Sequence, residues 1–161
     1  MPVHPLVTAA AAAFSSSRYS TPEEQHRRMV EYVEAWLEGE RFMTELVAIG
    51  RLDEDHVVGM APREMRALDS GAEYASALAE LAKNHEATTI SLGIAMSKRE
   101  VGKARPDLPN AYTLTTCSKD LASPMTVIWD VEVDDEANVR TWKRAPQPER
   151  CISAPYWSAV F

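Results

Sequence analysis

Residues 125–144 constrain the fold more than any other stretch, because their alternation implies two antiparallel strands and nearly fixes the register between them. Val127, Trp129, Val131 and Val133 alternate with Ile128, Asp130, Glu132 and Asp134, so one face of the first strand is apolar and most of the other is acidic. Residues 134–138 read as the turn. With Val133 opposite Val139, Val131 falls against Thr141, Glu132 against Arg140 and Asp130 against Trp142, which brings opposite charges together on the outer face. This is a fold signal and carries no chemistry by itself.

The chain ahead of the hairpin changes period once. Thr21-Pro22-Glu23-Glu24 combines an N-cap hydroxyl, a proline at the first helical position and a glutamate at the third, the pattern of a capped helix start. Met29, Val30, Val33, Trp36 and Leu37 then share one helical face. Gly39 interrupts the pattern, and Phe42, Met43, Leu46, Val47 and Ile49 resume it, which predicts either one long helix with a weak point or two in series. Residues 51–60 read as a connector. A further helix is expected from Pro62, restarted at Ser70-Gly71-Ala72-Glu73, with Tyr74, Ala75, Leu78, Leu81 and Ala82 as its buried stripe.

From Ala87 the period becomes two. Thr88, Ile90, Leu92, Ile94 and Met96 point one way, and the small residues Thr89, Ser91, Gly93, Ala95 and Ser97 the other. That small face fits either close packing under a helix or an open ligand surface. Residues 98–110 read as a long loop and 112–117 as a further strand. Tyr156, Trp157, Val160 and Phe161 are too apolar for a free tail and are expected to dock on the core or on another subunit.

Helices first (about 5–84) and strands afterwards (about 87–161) give one α+β domain over residues 1–161, with N-terminal helices packed on one face of a C-terminal antiparallel sheet of four to five strands. The order of elements is also similar to a cone-shaped sheet wrapped by long helices, as in the nuclear-transport-factor-2-like fold. That similarity is at fold level, rests on no motif and implies no function.

The 161 residues carry a net charge of −7, unevenly placed. Residues 21–55 carry −6, whereas residues 98–161 sum to zero. Such a balance argues against general binding of a phosphate backbone. It suits a protein partner with a basic surface. Two cysteines, Cys117 and Cys151, form no metal knuckle or redox pair and read as reduced thiols of a cytoplasmic protein, with a single disulfide if the chain is exported. No stretch is long and apolar enough for a membrane span. Residues 5–14 read as a short helix, although the Ala- and Ser-rich, acid-poor residues 1–20 also resemble an organelle-targeting segment.

Candidate chemistry is sparse. Asp53, Asp55 and His56, with His85 and Glu86, could assemble an acid–base pair or metal ligands, but their spacing matches no ligand motif, so no metal or cofactor is assigned. His26 lies on the apolar face of the first helix, where a buried base or a satisfied core histidine are the two readings; His26, His56 and Asp53 are therefore the catalytic candidates. Asp130, Glu132 and Asp134 lie in a row on one strand and read as a solvated face with Arg140 and Lys143 as ion partners. Lys98, Arg99, Lys103, Arg105, Arg140 and Trp142, with Arg144, form the candidate nucleic-acid surface.

No phosphate loop, nucleophile elbow or zinc motif occurs. The expectation is a protein-binding module of the inhibitor, immunity or adaptor kind, or an assembly component. It would act through Glu31, Glu34, Glu38 and Glu45 on the acidic helices and through Tyr156 and Trp157 near the C-terminus, with homo-oligomerisation as a further option. The alternative is an enzyme or ligand carrier with a pocket between helices and sheet.

Overall fold

The chain folds around a six-stranded antiparallel sheet with a helical layer on each side. A computed structural model describes residues 21–40, 42, 45–51, 57–60, 71–97, 102, 108–136, 138–146 and 155–161. In chain order the elements are helix α1 (Pro22–Glu38), strands β1 (Leu46–Gly50) and β2 (Val57–Met60), helix α2 (Gly71–Asn84), strands β3 (Thr89–Met96), β4 (Ala111–Ser118), β5 (Met125–Val133) and β6 (Val139–Arg144), and a C-terminal 3₁₀ helix (Pro155–Val160). The strand order is β2-β1-β3-β4-β5-β6. The architecture is α+β, as the switch of period implies. The expected first helix over 5–14 and the start from Pro62 fall outside the described residues.

Helix α1 begins as its sequence dictates. Thr21 is extended (φ −147°, ψ 155°), and its Oγ1 accepts the Glu24 amide at 3.1 Å while Pro22 opens the first turn. At the far end Gly39 caps the helix, and Glu40 takes a left-handed conformation (φ 61°) that turns the chain toward the sheet.

The next segment corrects the sequence reading. Leu46–Gly50 is strand β1, not a resumed helix, and all five residues are buried. Leu46 and Ala48 enter the core under α1, whereas Val47 and Ile49 enter the core under α2. A strand covered on both faces is apolar at every position and has lost the alternation that would reveal it, so its letters are indistinguishable from a buried helical turn. Part of the expected connector is likewise a strand, since Val57–Met60 pairs with β1 from Ile49↔Val57 to Leu46↔Met60. These two strands raise the sheet to six, and α2 with the 3₁₀ helix gives it a second covered face.

Two cores result. Met29, Val30, Val33 and Leu37 of α1 pack on Tyr112, Leu114, Trp129 and Val131. Tyr74, Ala75, Leu78 and Ala82 of α2 pack on Ile90, Leu92, Cys117 and Val160, with Trp157 against them. The stripe predicted for α2 holds, and of the four C-terminal residues expected to dock, Trp157 and Val160 pack on the core, Phe161 is exposed and the Tyr156 side chain lies outside the described residues. The small face of β3 lies under α1 and is closed at Gly93, where a Cβ would run into the Tyr112 hydroxyl. Glycine is needed there because the phenol occupies the space of a side chain.

The β5–β6 hairpin holds, with one correction. Val133 faces Val139, but a bulge between Glu132 and Val133 shifts the rest of the ladder, so Glu132 faces Thr141, Val131 faces Trp142, Asp130 faces Lys143 and Trp129 faces Arg144. One extra residue on β6 reverses the faces beyond it. Trp142 and Arg144 therefore turn onto the α1 side rather than the outer face. Asp134 closes the turn, its Oδ1 accepting the Glu136 and Asn138 amides at 3.0 Å each.

Candidate functional site

Helix α1 meets the sheet through a polar half and an apolar half. Beneath its first turns, β3 and β4 present paired hydroxyls on one face, Thr89 opposite Ser118 and Ser91 opposite Thr116. The Gln25 amide nitrogen donates to Ser91 Oγ at 3.1 Å and to the Ala48 carbonyl at 3.4 Å. Ser91 Oγ lies 2.8 Å from Thr116 Oγ1, and that oxygen lies 2.6 Å from His26 Nδ1. Ser91 Oγ accepts from the amide nitrogen, and each of the two hydroxyls can donate or accept in the bonds that join Ser91, Thr116 and His26 Nδ1.

Burial keeps the imidazole neutral, pushing the His26 pKa down from 6.5 to about 4. Of the two readings of His26, the satisfied histidine at the core margin is the one its surroundings match. A hydroxyl beside an imidazole nitrogen is also the geometry of an activated nucleophile, but Thr116 and Ser91 are wholly buried, so a substrate has no approach. Gln25 Oε1 is buried and has no partner among the described residues.

The acids proposed for partner binding lie largely within intramolecular pairs. Arg27 bridges Glu24 and Glu31, and Arg28 also reaches Glu24. Glu34 accepts the Trp129 indole N–H at 2.9 Å and Arg144 Nη2 at 2.9 Å. Burial alone would raise the Glu34 pKa, but the bonds from Arg144 and Trp129 and the Arg144 charge outweigh it and hold the carboxyl below its usual value. Glu38 accepts the Trp142 indole at 3.2 Å, and Glu45 accepts the Tyr74 hydroxyl at 3.3 Å. The bulge is what brings Trp142 and Arg144 to Glu38 and Glu34. In the sequence-derived register Trp142 points away, so these pairs were not legible.

The basic set divides. Arg140 is exposed on β6, and Trp142 is half-buried against α1; Lys98, Arg99, Lys103 and Arg105 fall outside the described residues, as do Asp53, Asp55 and His56. His85 and Glu86 are exposed just beyond α2. Among the described residues no group of three or more histidines, cysteines or acids could hold a metal ion, and no helix is long and apolar enough to cross a membrane.

A groove that the sequence did not reveal lies between α2 and the C-terminal 3₁₀ helix. It encloses about 480 Å³ and is lined by Ala79, Ala82, Ala87, Val160 and Phe161, with Lys83, Glu86 and Lys119 as its charged members. Phe161 is 39% exposed, one of two large apolar side chains so exposed among the described residues. Trp157 anchors the 3₁₀ helix: it packs on the α2 core, and the Cys117 thiol points to its carbonyl at 3.6 Å. Burial pushes that thiol up to about 12, which keeps it protonated. Only the apolar letters of 156–161 hinted at this site, since the lysines come from elements 36 residues apart in sequence. The chain matches no family model, no curated protein and no solved structure.

Proposed function

We propose that this chain is a protein-binding module of the inhibitor, adaptor or assembly kind, and that its contact surface is the groove between α2 and the C-terminal 3₁₀ helix. The observation that carries the reading is the exposed Phe161 beside a floor of small residues, Ala79, Ala82 and Ala87, with Lys83 and Lys119 lining the same groove. An apolar anchor bordered by charge is the ordinary anatomy of a contact site. Two lysines against one glutamate favour a partner segment that joins an apolar side chain to a carboxylate. The acids of α1 are less suited to the same task, because Glu34 and Glu38 already serve Trp129, Arg144 and Trp142. A reducing, cytoplasmic setting belongs to the same proposal.

The test compares full-length protein with Phe161→Asp and with the Lys83→Glu/Lys119→Glu pair in capture from the source-cell extract, followed by affinity measurement with the partner identified. Each change should weaken that partner about tenfold or more, the scale of a contact hot spot, while Glu31→Lys leaves it unchanged. Loss on reversing Glu31 with full binding by the groove variants would return the site to the acidic helix. A small bound mass in native mass spectrometry, displaced by the groove substitutions, would instead favour a ligand carrier.

A further inference from the structure

We infer that the outer edge of β6 is a strand-addition surface for an acidic, extended segment of another protein. The inference rests on β6 alone and is independent of the groove. β6 is the last strand of the sheet, and its inner side is fully accounted for by β5. The Ala145 amide donates to the Ile128 carbonyl at 2.8 Å. Main-chain direction alternates along a strand, so Lys143 and Thr141 also turn their peptide groups toward β5, and those of Trp142 and Arg144 turn outward.

The outward row is already used at its first position. The Val139 amide donates to the Glu40 carbonyl at 3.3 Å, so the turn after α1 supplies an acceptor at one end of this edge. Trp142 and Arg144 continue the row past the bulge, where the topology places no described strand.

Charge selects the occupant. Arg140 and Lys143 are exposed on the outer side, with Asp130 opposite Lys143 on β5, while Arg144 is held by Glu34 on the α1 side; β6 itself contains no acid. Two copies of β6 paired edge to edge would bring these bases together, which disfavours a second copy of this chain and keeps the edge from aggregating. A strand carrying carboxylates on alternate residues meets Lys143 and Arg140 on the outer side, while its other face continues the sheet beside Trp142. Main-chain bonds then supply affinity and the alternate side chains supply specificity.

The experiment uses isotope-labelled full-length protein and two capped hexapeptides, one alternating glutamate with valine and one alternating lysine with valine. Saturation with the glutamate peptide should slow hydrogen exchange of the Trp142 and Arg144 amides at least tenfold, and the lysine peptide should not. The Arg140→Glu/Lys143→Glu variant changes two exposed side chains, and its retained fold is checked by its amide spectrum. It should bind the glutamate peptide about tenfold more weakly, as expected for losing two exposed ion pairs, and should gain affinity for the lysine peptide. Three results overturn the inference: Trp142 and Arg144 amides already protected in the free monomer, shifts from the glutamate peptide that leave these two amides unprotected, or protection that appears on self-association.

Discussion

Glu34 gives the most quantitative test of how α1 is held. Its carboxylate accepts the indole N–H of Trp129, a residue with 0% exposure, and two N–H groups of Arg144. Glu34→Ala strands a buried donor, which costs about 1–3 kcal/mol, and removes an ion pair whose arginine is more than half exposed, a loss of about 1 kcal/mol or less. Together these predict roughly 2–3 kcal/mol in urea denaturation, or roughly 4–12 °C in Tm for a chain of this size. Glu34→Gln keeps an acceptor for Trp129 and loses only the charge, so its cost should stay near 1 kcal/mol or below. The carboxyl pKa is lowered by folding, so its contribution is complete above the ordinary carboxylate value and fades as pH falls through the lowered one. Equal destabilisation by alanine and glutamine, or less than about 0.5 kcal/mol from alanine, would show that the Trp129 bond does not hold the helix.

Three further experiments probe the interior. His26 is neutral in the fold with its pKa depressed from 6.5 to about 4; its contribution is therefore present above 6.5 and lost as pH falls toward 4, by up to about 3 kcal/mol. The stability difference between wild type and His26→Gln, followed from pH 7 to pH 4, should shrink accordingly; a pH-independent difference would contradict the buried neutral imidazole. Gly93→Ala drives a methyl against Tyr112 and should cost about 1–3 kcal/mol by denaturant unfolding, whereas a neutral effect would mean that the phenol moves freely. Cys117, measured in a Cys151→Ser background, should resist a thiol reagent at pH 8 until the protein unfolds, because its thiol is buried and its pKa raised to about 12. Rapid labelling of the native protein would show that the 3₁₀ helix does not cover it.

Local rules fixed those parts whose signals are local. The Thr21-Pro22 start of α1, the alternation of β3 and β5 and the turn over 134–138 follow from capping geometry, strand period and side-chain bonds to neighbouring amides, all legible within a few residues. The tertiary structure alone decided what depends on a second surface. β1 is a strand because α1 and α2 cover both of its faces, and its letters carry no period to say so. The bulge at Glu132/Val133 is worth one residue of register, yet it turns Trp142 and Arg144 from solvent to the acids of α1 and thereby occupies the carboxylates that composition had offered to a partner. Charge counts cannot detect pairing between residues 110 apart, and apolar letters cannot disclose a groove whose lysines come from separate elements. The chemistry of each side chain was in the sequence; which of them remained available was settled by packing.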